Sequence, residues 1–159
     1  MLKILAEEFL PEMWLFVGVA DFKDKLEALK EVALLLLSKG VVSQPYQQVL
    51  IEREERYPTG FKVDEELAIA LPHAHVKYTL KPALLGVLLR KPIEFQCMGS
   101  PGDTVLVKAL IVVAVKDLER SSRLLRGIGD LFANKSFSEA IKRGDVEMIL
   151  KLFKIVCLQ

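Results

Sequence analysis

The run Thr104 to Val115, TVLVKALIVVAV, decides the fold: Lys108 is its only charge, and Val, Leu and Ile fill it almost without interruption. A strand with one wet face alternates apolar and polar residues. A strand covered on both faces reads as a continuous apolar run, so this segment predicts a central strand with helices above and below it. Working outward, ALLGVLLR (83–90) has the same character, and MWLFVGVA (13–20) and LAIAL (67–71) are further buried strands, the last ended by Pro72, which cannot donate to a ladder. The loop CMGSPGD (97–103) separates the two longest runs.

Helical patterns lie between and after these strands. Asp21 offers an N-cap to a helix on which Phe22, Leu26, Leu29, Ala33 and Leu37 recur at helical spacing, and Gly40 stops it. Ser43 and Pro45 open a second helix, QPYQQVLIEREERY, which Pro58 terminates before the turn PTGFKVDEE. Beyond Val115, RSSRLLRGIGDLFAN is a helix weakened by Gly127 and Gly129, and SFSEAIKRG and DVEMILKLFK are two shorter ones with serine and aspartate caps. The interleaving predicts one α/β domain over residues 1–159, with a mixed, mostly parallel sheet flanked by helices on both faces.

Composition excludes several function classes. Lys plus Arg is 22 against 21 for Asp plus Glu, so no global field draws nucleic acid or anionic lipid. Cys97 and Cys157 lack a CxxC spacing, which speaks against a disulfide framework or a structural zinc site. Lys3, Glu7 and Glu8 interrupt the N-terminal apolar residues, unlike a signal peptide, and no apolar run reaches the ~20 residues of a membrane span. A cytoplasmic protein without membrane insertion is expected.

Both histidines, His73 and His75, sit in LPHAHV (71–76), at the exit of a strand. Three readings compete. Residues two apart on a strand share a face, so a metal clip is conceivable, but zinc normally takes three or four protein ligands and no third histidine or ligand-spaced cysteine is present. One imidazole, neutral at cellular pH, could instead serve as nucleophile or base where α/β folds place ligand sites. The third reading is a strand-end histidine satisfied by a backbone carbonyl. Upstream, IEREERYPTG (51–60) is either a solvated helix end or the source of an arginine, Arg53, that holds a phosphate over the histidine.

Taken together, REERYPTG (53–60) followed by LAIALPHAH (67–75) resembles the enzyme IIA domains of the fructose/mannitol class of the bacterial phosphoenolpyruvate-dependent sugar phosphotransferase system. The order is arginine-glutamate, threonine-glycine, then a small-apolar strand ending in Pro-His. The likeness runs through DKLEALKEVALLLLSKGVVSQPYQQVLIERE, and PIEFQCMGSPGD, ALIVVAVKD and LLRGIGDLFANKSF are most similar to the galactitol-type enzyme IIA.

The resemblance implies that His73 accepts a phosphoryl group from phospho-HPr, as a candidate tele-phosphohistidine, and passes it to a cysteine of a IIB component that serves a IIC permease. A sugar or sugar alcohol, galactitol-like, would be the cargo. It further implies that Arg53 neutralises phosphoryl charge and that Thr59 donates a hydrogen bond, with no cofactor and no metal. Such transfer asks for an in-line nucleophile, positioning and positive charge.

Two positions depart from the pattern. Where many members carry a second histidine near the start of the helix after the last strand, this chain has Ser121, with Glu119 close by; Arg120, Arg123 or His75 are the candidates to replace it. Ala68 stands where glycine is common. The missing histidine keeps open a regulatory module of the same family, nitrogen-related or transcription-regulating, whose phosphorylation controls partner binding.

Overall fold

The computed structural model describes residues 1–158. Its spine is the hairpin of β5 (Ala83–Cys97) and β6 (Ser100–Ala114), the two runs that read as continuously apolar. Both lie inside a six-stranded sheet of order β1-β2-β5-β6-β4-β3, with β1 at Leu2–Leu10, β2 at Met13–Ala20, β3 at Phe61–Asp64 and β4 at Leu67–Ala70.

Helices cover both faces, as expected. On one, α1 (Lys25–Ser38) and α2 (Tyr46–Arg56) pack Leu29, Val32, Leu36 and Leu50 against Phe16, Leu85, Leu110 and Val112. On the other, α3 (Leu118–Phe132), α4 (Lys135–Arg143) and α5 (Val146–Cys157) pack Ile128, Phe137 and Phe153 against Leu15, Leu84, Ile111 and Val113. Successive residues of β6 thus enter opposite cores, which is the reason the sequence shows no polar alternation there.

The sheet is mixed, but the expectation that it is mostly parallel is wrong. β1–β2, β3–β4 and β5–β6 are antiparallel, and only β2–β5 and β4–β6 are parallel. A continuous apolar run reports burial on two faces; it carries no information about the direction of the neighbouring strand.

The expected loop at 97–103 shrinks to a two-residue turn, Met98–Gly99, with Gly99 at φ +75° in the second central position, where a type II turn favours glycine, and strand pairing resumes at Ser100. Residues 61–64, read as part of a turn, form edge strand β3 instead. The N-terminal strand β1 had no clear period-2 signal, because a bulge between Ile4 and Ala6 shifts the alternation by one.

The helix caps also move. Asp24, not Asp21, caps α1, its side chain accepting from Glu27 N at 2.9 Å, so the buried stripe becomes Ala28, Leu29, Val32, Ala33 and Leu36 and leaves Leu26 exposed. Pro45 rather than Ser43 occupies the cap position of α2, Asp117 caps α3, and Asn134 rather than Ser136 caps α4. The Asp145 cap of α5 falls where the sequence placed it. Among the described residues no helix is long and apolar enough to cross a membrane.

Candidate functional site

Past Ala70 the chain leaves β4 but keeps contact with β6: Val113 N donates to Pro72 O at 3.3 Å, and His73 bridges Val113. Proline fits here because its carbonyl is used and its missing N–H is not. Next to it, the N–H of buried Leu71 donates to Thr59 Oγ1 at 3.0 Å. The carbonyl of the same residue lies 2.7 Å from Nδ1 of His73. A carbonyl oxygen can only accept, so Nδ1 carries the proton. In the neutral ring the lone pair is then at Nε2.

That neutral form is the favoured one. Burial holds the His73 imidazole below its ordinary value, the positive charge of Arg53 pushes the same way, and the bond to Leu71 opposes both. The ring therefore presents an unprotonated nitrogen at pH 7, which is what a nucleophile needs.

Beneath the histidine lies a buried arrangement built by the Thr-Gly turn. Glu54, in the last turns of α2 and 2 % exposed, accepts from Thr59 N at 2.7 Å through one carboxylate oxygen and from Thr59 Oγ1 at 2.8 Å through the other. Burial pushes its carboxyl above the ordinary range; the two Thr59 bonds and the charges of Lys25 and Arg53 work against that. The result is a continuous hydrogen-bonded chain from Glu54 through Thr59 and the Leu71 peptide to His73. Gly60 completes the turn by lying against the β5–β6 hairpin, with Gly60 N donating to Gln96 O at 3.1 Å and Met98 N to Gly60 O at 2.7 Å. A Cβ at residue 60 would stand 2.8 Å from the Gln96 carbonyl oxygen, so only glycine fits the approach.

Arg53 sits half-buried in the last turn of α2, its guanidinium over the Tyr57 ring at 5.3 Å. It forms no ion pair among the described residues, and its buried Nε has no hydrogen-bond partner. A cation held by stacking rather than by a carboxylate keeps its donors free for an anion.

Among the described residues none of the other sequence candidates is hydrogen-bonded to the His73 ring. His75 is exposed, and its Nδ1 accepts from Lys77 N at 3.1 Å, capping the short 3-10 turn Val76–Tyr78. The strand-based pairing of the two imidazoles fails because Pro72 ends the strand before either is reached. Among the described residues no group of three or more His, Cys, Asp or Glu is placed to hold a metal ion.

Ser121 lies half-buried in the first turns of α3, its N–H donating to Asp117 O, and its hydroxyl makes no hydrogen bond to His73. Arg120 pairs with Glu12 and Asp117 at the exposed surface. Arg123 faces a cleft of about 740 Å³ between the β1–β2 turn, α3 and α5, and none of His73, Arg53 or Thr59 lines that cleft. In this arrangement the hydroxyl proton of Thr59 goes to Glu54, so Thr59 positions the Leu71 peptide and is not free to donate the expected hydrogen bond to a phosphoryl group.

Glu54 is the residue that sequence reasoning missed. The signal was present in the spacing Arg-Glu then Thr-Gly, but a glutamate in a charge run reads as solvated until the fold buries it.

Residues 8–155 match the family described as phosphoenolpyruvate-dependent sugar phosphotransferase system, EIIA 2. The chain belongs to that family. It is 31% identical over 106 residues, 67% of this chain and 69% of the relative, to the galactitol-specific EIIA component of Escherichia coli K12. Several solved structures share its fold, two of them as follows. One is the Escherichia coli complex of mannitol enzyme IIA with phosphorylated enzyme IIB, at TM-score 0.67 and 20% identity, covering 85% of this chain and 90% of that one. The other is the nitrogen regulatory protein IIA-Ntr of Neisseria meningitidis, at TM-score 0.56 and 17% identity, covering 82% and 84%. As an EIIA component this chain is a phosphotransferase relay protein.

Proposed function

We propose that His73 is the phosphoryl acceptor of this EIIA component and that Nε2 is the nitrogen that attacks. The supporting observation is the 2.7 Å contact of Nδ1 with Leu71 O, which leaves the Nε2 lone pair free beside the unpaired Arg53. An N–P bond forms at Nε2 as the bond to the donor's histidine breaks. Nδ1 keeps its proton, and the carbonyl of Leu71 stabilises the positive charge that the ring gains. Arg53 faces the equatorial oxygens of the group in flight, where charge compensation acts.

The donor is phospho-HPr. The phosphoryl group then goes to a cysteine thiolate of a IIB component that feeds a IIC permease, N–P breaking as S–P forms. The galactitol-specific relative favours a sugar alcohol as the cargo, and the relay runs in the cytoplasm, with no nucleic acid and no cofactor. Incubation with phosphoenolpyruvate, enzyme I and HPr labels the wild type and leaves His73→Ala unlabelled; equal labelling of the two overturns the assignment.

A regulatory reading draws on one observation: among the described residues Arg53 is the only cation found to act on His73, with neutral Ser121 standing where a second histidine is expected. Phosphorylation would then alter partner binding instead of feeding transport. Deletion of the gene separates the two: uptake that persists while transcription of other genes shifts selects regulation, and lost uptake selects transport.

A further inference from the structure

Among the described residues the outer edge of β1 is unpaired in the sheet, and its backbone is self-complementary. Trp14 N donates across to Pro82 O at 2.9 Å, so the even-numbered residues of β2 turn their amides toward β5. Their partners on β1 are Leu2, Ile4, Glu7 and Phe9, which therefore turn their N–H and C=O groups outward. The bond from Leu2 N to the Glu31 carboxylate, away from β2, agrees with this.

In an unbulged strand the outward residues would be evenly spaced. Here the bulge between Ile4 and Ala6 interrupts that spacing, so the outward groups of two antiparallel copies all coincide only when the twofold axis passes between Leu5 and Ala6. A second copy laid antiparallel thus meets the first as Leu2 with Phe9 and Ile4 with Glu7, each pair repeated by the twofold axis.

The side chains agree with that register. Leu2 and Ile4 pack on the α1 face, and Phe9 packs against Trp14 on the same face, ring centroids 4.9 Å apart and tilted by 58°, so Leu2 of one copy covers Phe9 of the other, now 55% exposed. On the opposite face exposed Lys3 falls beside Glu8, whose carboxylate also holds Lys154 at 2.7 Å. Like charges would have met at Lys3 or at Glu8 in other registers; this one brings opposite charges together twice.

We infer that two copies of this chain associate through β1 into a closed dimer with one continuous sheet. One strand edge buries less than a standard interface, whose affinities begin in the micromolar range, so a weak dimer follows, with a dissociation constant on the order of 10–100 μM. His73 lies with β4, four strands away in the sheet order, and stays accessible in both copies.

Sedimentation equilibrium over that concentration range tests it, with circular dichroism confirming the fold of each variant. Wild type shows a monomer–dimer equilibrium. Lys3→Glu alone and Glu8→Lys alone each weaken self-association at least about tenfold, and an equimolar mixture of the two variants dimerises again, since each supplies the charge the other lacks. Hydrogen exchange at Ile4, Glu7 and Phe9 slows with rising concentration while that at the inward Ala6 and Glu8 does not change. A single monomeric species throughout, open-ended oligomers, or association indifferent to both charge changes overturns the inference.

Discussion

Replacing Thr59 by valine keeps its volume and removes one hydroxyl. Two buried groups then lose their partner at once: the Leu71 N–H, 3.0 Å from Thr59 Oγ1, and one oxygen of the Glu54 carboxylate, 2.8 Å from it. An unpaired buried N–H costs about 1–3 kcal/mol, and a carboxylate oxygen that loses its donor costs about 1.5–3 kcal/mol. Allowing for relaxation, Thr59→Val should destabilise the protein by about 3–5 kcal/mol, a large part of the ~5–15 kcal/mol that holds a domain folded. Thr59→Ser keeps the hydroxyl and should cost less than about 1.5 kcal/mol. Urea unfolding followed by circular dichroism measures both, at unchanged m-value. Phosphoryl labelling under folding conditions should fall in Thr59→Val as well, because the Leu71 peptide that orients His73 has lost its anchor. Valine and serine variants of equal stability would refute the chain from Glu54 to His73.

Arg53→Gln should lower the rate of labelling by about 10²-fold with little change in stability, as measured by rapid-quench kinetics, because the lost charge acts on the transition state. The acid limb of labelling should have its midpoint below pH 6.5, since burial and Arg53 both lower the imidazole; protonation below that point removes the nucleophile, and Arg53→Gln should move the midpoint up toward 6.5 in a proton NMR titration. Gly60→Ala should destabilise by about 1–3 kcal/mol, read as a lower urea midpoint, because its Cβ meets the Gln96 carbonyl at 2.8 Å. His75→Ala should leave the labelling rate within about twofold of wild type, since that exposed ring caps a surface turn through Lys77 N.

Which parts of this molecule were legible in its sequence follows from what each signal reports. Runs such as 83–90 and 104–115 announce burial on two faces, and the helices that cover them were found with only small shifts of their caps. Strand direction was not legible, because Leu, Val and Ile read the same whichever way the neighbouring strand runs. β1 was hidden by a one-residue bulge and β3 by its brevity at an edge. At the site, Arg53, Thr59, Pro72 and His73 could be named from their order along the chain. The job of Thr59 could not, since it depends on Glu54 being buried, and in a stretch of alternating charge nothing distinguishes the one acid that the fold encloses. Likewise His75 shares a motif with His73 and is parted from it by the backbone turn after Pro72.

All three antiparallel pairings of the sheet close through two-residue turns: residues 11–12, 65–66 and 98–99. The sheet is therefore three local hairpins, joined side by side by the two parallel ladders β2–β5 and β4–β6. Each hairpin brings neighbours together over a few residues, with little loss of chain entropy. The parallel joins must close long stretches of chain, and so they set the pace of folding. The bridge from His73 to Val113 extends one of those joins. During synthesis or refolding the nucleophile is thus aimed only when the third hairpin docks on the second, and a fragment lacking β6 would keep the Pro-His sequence without its geometry.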